Sequence, residues 1–196
     1  VKYNPDIHHR QSIRLRDYDY SQPNAYFVTI CTQHQECNLG EVINREMTFT
    51  VRGFIADQFW LQISNHFPNV ELDYFVIMPN HVHGIIVIND EFTVIKGGET
   101  YVMKGGETYV MKGGETPPLR KKPTLGQIIA YYKYQTTKII NNIDHSPGLR
   151  IWQRNYYDRI IRNEKALNLA RQYIITNPVR WDKDPKNPRR SAVSTP

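Results

Sequence analysis

The sequence predicts an α+β fold in which an antiparallel sheet is covered by helices. Three observations lead there. Short β-branched and aromatic runs occur at 26–31 (YFVTIC), 72–78 (LDYFVIM) and 81–88 (HVHGIIVI). Longer stretches space their apolar residues as helices do. The coarse order is β, β, α, β, β, insertion, α, β, α, with which a ferredoxin-like, RRM-like arrangement is compatible.

Each element has a local reason. Residues 1–20 are polar, basic and tyrosine-rich, and read as an arm outside the core. The run at 26–31 is the first strand. A weaker strand or hairpin is expected at 41–50. From 51 to 66, Phe54, Ile55, Phe59, Leu61 and Ile63 fit a helix that Pro68 stops. The runs on either side of Pro79-Asn80 read as a strand pair with a tight connection or a bulge.

The stretch at about 90–123 is different. The octet KGGETYVM begins at Lys96, repeats at Lys104 and breaks off after Thr116. It reads as a flexible low-complexity insertion. Thr124 is the N-cap expected for a helix from Leu125 to Ile143. After the Pro147-Gly148 loop, 149–161 is expected to form a strand followed by a turn. Asn163 caps a last helix that starts at Glu164 and ends before Pro178. The tail at 181–196 is polar, basic and proline-rich, and is expected to be loosely ordered.

The chain has 196 residues, a length that suits one domain. Its net charge is +6 and it holds 13 tyrosines. A basic, aromatic-rich surface suits a polyanion with unpaired bases. Two cysteines, Cys31 and Cys37, are too few for a disulfide framework, so a cytoplasmic setting is expected. Cys31, His34 and Cys37 lie close together but match no standard zinc spacing. No stretch has the length of a membrane span, and the N-terminus has no signal-peptide core.

The chemistry begins at His81-Val82-His83. Residues two apart on a strand share a face, so both imidazoles project together. Two imidazoles are half of a divalent-metal site. The plainer possibility is a pair of buried, hydrogen-bonded histidines, and a third ligand must come from elsewhere. Gly84 leaves room beside them for a backbone or a ligand.

Taken together, SIRLRDYDY and AYFVTICTQ near the start, VIMPNHVHGIIVI, IWQRNYYDRIIRNE, and YIITNPVRW near the end resemble the single-tyrosine HUH transposases. The bacterial branch called REP-associated tyrosine transposases is the nearer resemblance. It implies an HUH nuclease fold. It also implies a nucleophile on the late helix with the third metal ligand one turn on. The matching residues are Tyr173 and Asn177, four apart and so on one helical face. His81, His83 and Asn177 would hold Mg²⁺ or Mn²⁺, the histidines suiting Mn²⁺ better.

The activity implied is cleavage and rejoining of single-stranded DNA beside a hairpin, through a 5′-phosphotyrosine link. Phosphate contacts are expected from Arg14 and Arg16 in the arm and from Arg154, Arg159 and Arg162 before the last helix. Tyr156 and Tyr157 are rival nucleophiles, but their i+4 positions hold isoleucines. A monomer is expected, with a dimer that exchanges the tyrosine helix as the alternative. Competing functions are a binding module that does not cut, a replication initiator or relaxase, and a degenerate transposase.

Overall fold

The computed structural model describes residue 15 and residues 17–96, 99–104, 107–110 and 122–189. In chain order the strands and helices are β1 (Asn24–Cys31), β2 (Gly40–Ile43), β3 (Glu46–Phe49), α1 (Val51–Leu61), α2 (Ile63–His66), β4 (Val70–Met78), β5 (His81–Ile88), β6 (Glu91–Lys96), β7 (Glu99–Lys104), β8 (Glu107–Val110), α3 (Leu125–Ile143), β9 (Tyr157–Ile161) and α4 (Glu164–Thr176). Short 3-10 turns span Gln33–Gln35 and Pro178–Lys183.

The central sheet has the order β4-β5-β1-β9, and every neighbouring pair is antiparallel. Alternation along the strands gives the sheet two unlike faces. Tyr26, Val28 and Ile30 of β1 and Val82, Ile86 and Ile88 of β5 point to one face. There they join Trp60 of α1 and Ile128, Ile129, Tyr132 and Ile140 of α3 in the main core. The opposite face packs Ile85 and Ile161 against Ala170 and Ile174 of α4. His81 and His83 share the parity of Ile85, so they face α4.

Gly84 has the other parity. A β-carbon there would sit 2.2 Å from Trp60 Cζ2. The glycine therefore lets the indole lie on the sheet, and it does not open space at the histidines.

Local chemistry explains the element ends. Thr124 and Gln127 form a capping box at the start of α3. Asn163 Oδ1 accepts the Ala166 N–H at the start of α4. The β4–β5 connection is the two-residue turn Pro79-Asn80, and the register of β4 shifts between Leu72 and Phe75. Of the two alternatives expected at Pro79-Asn80, the tight connection is the one present, and the irregularity of β4 lies further back, between Leu72 and Phe75.

Several expectations need correction. The helix expected over 51–66 breaks at Gln62 into α1 and α2. Within 149–161 the strand comes last, at 157–161, and Trp152 forms only an isolated bridge with Thr32. The arm ends inside the core, since Tyr20 is buried and Tyr18 packs beside it. The tail is fixed as far as Asn187, with Trp181, Asp184 and Asn187 buried.

The repeat region carries β6, β7 and β8, a three-stranded antiparallel sheet, where an unstructured insertion was expected. Its register puts Lys96 opposite Glu99 and Lys104 opposite Glu107. The first two octets thus contribute β7 and β8, while β6 lies almost wholly before the repeats.

Candidate active site

The site is built on the α4 face of the sheet. His81 and His83 stand two apart on β5, and their ring centroids are 4.4 Å apart. Both are buried, at 0% and 2% exposure. Tyr173 comes down from α4 so that its hydroxyl lies 3.4 Å from His83 Nε2. Phe27 of β1 stacks on the His83 ring and meets Tyr173 edge-on. Asn177, one turn beyond Tyr173, is the C-cap of α4 and is buried.

The hydrogen bonds fix the tautomers. The Asn80 amide nitrogen donates to the carbonyls of Gln35 and Lys186, at 3.1 and 2.7 Å. Its oxygen is therefore the atom 2.8 Å from His81 Nδ1, and Nδ1–H must be the donor. His81 Nε2 keeps a lone pair, and it is buried with no hydrogen-bond partner. His83 Nδ1 lies 2.8 Å from Thr29 Oγ1. A Tyr173 phenol that donates to Nε2 requires Nδ1–H on this ring as well. Both histidines then turn their Nε2 lone pairs toward α4.

Electrostatics agree with that state. Burial, then the neighbouring His83 and Lys186, holds His81 well below the ordinary histidine value. Burial, then Lys186, lowers His83 to about 3. Both rings are neutral at pH 7, the form that can coordinate a cation. Burial and then Asp184 push the Tyr173 phenol above its ordinary value, while the Asn177 amide opposes the rise. The same amide acts on His81 in the charged-favouring direction. Asn177 is thus close to both His81 and Tyr173.

The donor set fits a divalent cation. Two buried polar atoms lack partners here, His81 Nε2 and Asn177 Oδ1. Such atoms cost stability unless something satisfies them. One is an imidazole lone pair and the other an amide oxygen, and both suit Mn²⁺. Among the described residues, no group of three His, Cys, Asp or Glu side chains forms a metal site. Cys31 and Cys37 are free thiols, the first buried and the second exposed.

A cleft of about 690 Å³ opens over this cluster. Its lining includes Phe27, His83, Tyr157, Arg159, Tyr173 and Lys186. Of the arginines expected to meet DNA, Arg159 lines the cleft and Arg162 lines an adjoining pocket that shares Arg159. Arg154 lies apart, on a groove beside α3 with Lys138 and Arg150. Arg14 and Arg16 lie outside the described residues. Tyr156 is buried in the main core, whereas Tyr157 is exposed at the cleft. Of the rival tyrosines only Tyr157 shares the cleft, and Tyr173 alone meets His83.

Sequence reading missed Asn80, Thr29 and Lys186. Asn80 stands next to His81 in the chain, yet Pro79-Asn80 reads only as turn chemistry. Thr29 is reachable from sequence only through the register that sets it opposite His83.

The chain shares its fold with a REP-associated tyrosine transposase solved bound to a REP hairpin. The match covers 88% of this chain and 79% of that one, with a TM-score of 0.51 and 19% identity. The fold class is therefore that of the REP-associated tyrosine transposases, an antiparallel sheet flanked by helices. No family model matches the chain. It is 39% identical over 184 residues to an uncharacterised protein of Haemophilus influenzae, covering 94% of this chain and 96% of that one. The chain belongs to the same family as that Haemophilus protein.

Proposed function

We propose that this protein is a transposase that cuts and rejoins single-stranded DNA beside hairpins, with Tyr173 as nucleophile. The observation that carries this reading is the meeting of Tyr173 with His83 beside two buried acceptor atoms without hydrogen-bond partners, His81 Nε2 and Asn177 Oδ1. A buried aromatic core would not leave two polar atoms unpaired next to a half-exposed phenol. The fold neighbour was solved with a REP hairpin, which supports hairpin DNA as the partner.

A divalent cation, Mg²⁺ or Mn²⁺, held by His81, His83 and Asn177 would supply charge neutralisation at the scissile phosphate. The chain's own groups do the rest. The Tyr173 oxygen attacks phosphorus, and the bond from phosphorus to the 3′-oxygen breaks. The phenol's proton ends on the released 3′-hydroxyl. The protein keeps a 5′-phosphotyrosine link, which a second 3′-hydroxyl can attack in reverse to rejoin strands. No nucleotide cofactor is needed, since the phosphodiester is exchanged and not hydrolysed.

Asn80 and Thr29 hold the two imidazoles in one tautomer, so the site is preorganised. Arg159 and Arg162 neutralise phosphates along the cleft, and Phe27 and Tyr157 offer faces to unpaired bases. Arg14, Arg16 and Arg154 would extend the contact to the hairpin. We read the catalytic unit as a monomer, with a dimer that exchanges the tyrosine helix as the alternative.

The test is adduct formation. Labelled hairpin-flanked single strands from beside the gene are incubated with Mn²⁺, Mg²⁺ or EDTA. A denaturation-resistant protein–DNA adduct is expected with metal and not with EDTA, and Tyr173→Phe abolishes it. An adduct that persists in Tyr173→Phe transfers the chemistry to Tyr157. Binding without any adduct leaves a non-catalytic or degenerate binding protein of the same fold.

A further inference from the structure

The cleft contains a cation that the reaction described above does not use. We propose that Lys186 is a catalytic residue whose ammonium contacts a non-bridging oxygen of the phosphate that Tyr173 attacks. This rests on the reading of the cleft as a DNA-cutting site.

Lys186 lines the same cleft as His83, Tyr173 and Arg159. Its backbone is held at both ends. The Lys186 N–H donates to Asp184 Oδ1 at 2.7 Å, and its carbonyl accepts from the Asn80 amide at 2.7 Å. Asp184 and Asn187 are buried on either side of it, and Asn187 donates to the Trp181 carbonyl. Pro185 and Pro188 restrict the same short stretch. A loosely attached surface lysine has no such framework.

The anchor also links Lys186 to the site. One fully buried amide, Asn80, accepts from His81 Nδ1 and donates to the Lys186 carbonyl. The residue that sets the His81 tautomer therefore also sets where the lysine starts from. Of the two cations in the cleft, Lys186 is the one tied through Asn80 to a histidine of the site, whereas Arg159 is exposed on the rim.

Among the described residues, Lys186 forms no ion pair. Asp158 lines the same cleft but does not pair with Lys186 among the described residues, so the ammonium is open to an anion. Phosphoryl transfer spreads negative charge over the non-bridging oxygens in its transition state. A fixed ammonium there stabilises the transition state more than the ground state. Lysine acts as a point charge and needs no bidentate geometry.

The experiment compares wild type, Lys186→Ala and Lys186→Arg in single-turnover adduct formation. Two substrates are used: the ordinary strand, and one with an uncharged methylphosphonate at the scissile position. On the ordinary strand Lys186→Ala is expected to slow adduct formation about 100-fold, the usual cost of one transition-state donor. DNA affinity should change by no more than about three-fold, because one cation among many is lost. Lys186→Arg should recover about ten-fold of the rate, since the charge is retained. On the methylphosphonate the gap between wild type and Lys186→Ala should shrink to under about ten-fold, because the charge to be stabilised is gone.

A Lys186→Ala rate within about three-fold of wild type on the ordinary strand, where about 100-fold is expected, overturns the proposal and leaves the Tyr173 chemistry standing. An equal gap on both substrates also overturns it, since it makes Lys186 a structural residue. A wild-type protein that forms no adduct with any hairpin overturns the cutting reaction itself, and Lys186 with it.

Discussion

The two faces of the central sheet are made by the same strands and built to opposite rules. On the α1/α3 face, β5 contributes Val82, Ile86 and Ile88 to a large, dry core around Trp60 and Tyr132. On the α4 face, the alternate residues His81 and His83 are just as buried, yet only Ile85, Ile161, Ala170 and Ile174 form the buried apolar cluster beside them. The first face packs apolar side chains, and its unpartnered polar atoms, such as the Trp60 indole N–H and Asn141 Oδ1 of α3, stand apart from one another. The second leaves His81 Nε2 and Asn177 Oδ1 without partners. One face is optimised for stability, and the other holds polar groups at a cost to stability, as functional sites do. Substitutions on the two faces should separate folding from chemistry.

The largest effect is expected on the dry face. Trp60 is fully buried, stacks on Phe75 and meets Tyr132 edge-on. Gly84 leaves it no slack on the sheet side. Trp60→Ala should cost about 3–5 kcal/mol through lost burial and the cavity left behind. Urea denaturation checks this. Any DNA adduct still formed by the folded fraction should have an unaltered rate, because Trp60 touches nothing in the cleft. A folded variant with slow chemistry would break the separation of the faces.

The histidine face should respond to pH in the opposite sense from a stabilising pair. His81 and His83 are held below the ordinary value of 6.5 by burial, His83 at about 3. In the unfolded chain both titrate near 6.5. Above that pH both states are neutral, and the full stability is present. As pH falls below about 6.5 the unfolded state takes up protons first, so stability declines from there toward about pH 3. In EDTA, wild type should lose stability across this window. A His81→Leu/His83→Leu double variant should show a flatter curve and be no less stable at pH 5. Parallel curves would mean that the rings are solvated in the native state.

Much of the scaffold is legible in the sequence, for local reasons. The caps Thr124 and Asn163 mark helix starts by their own side chains, and the α3 bounds follow. His81 and His83 share a face through the strand period alone. Tyr173 and Asn177 share one through the helix period. That the two pairs meet is a tertiary fact, set by α4 crossing β5, and only the family resemblance anticipated it. Lys186 and Thr29 were invisible because their roles depend on a sheet register and on a loop pinned by Asn80. Gly84 misled for the same reason: its neighbour, Trp60, is 24 positions away and on the other face. The repeat stretch misled because glycine pairs suggest flexibility, while the backbone register of β6, β7 and β8 exists only once the strands align.

The smallest effect concerns how α4 is held over the histidines. At the irregularity of β4, Asp73 accepts from Arg171 Nε with both carboxylate oxygens at 3.1 Å and from Nη2 at 2.6 Å. Arg171 also lies over the Tyr74 ring and stands two residues before Tyr173. Burial raises the Asp73 carboxyl, but hydrogen bonds from Arg171 and from the Tyr74 N–H outweigh it and hold the group below its ordinary value. Its stabilising contribution is therefore present above the ordinary carboxylate range and is lost as pH falls through it. Asp73→Asn should lower Tm by about 2–4 °C at pH 7, corresponding to about 1 kcal/mol for a charge-assisted contact with one partner in solvent. The deficit should shrink as pH falls through and below the ordinary carboxylate range, because the wild-type carboxyl is itself protonated there. Adduct formation should slow by no more than about ten-fold at pH 7, since a small displacement of a positioned nucleophile costs rate. A Tm drop with an unchanged rate would mean that the sheet and Asn177 alone fix Tyr173, and that the clamp serves stability only.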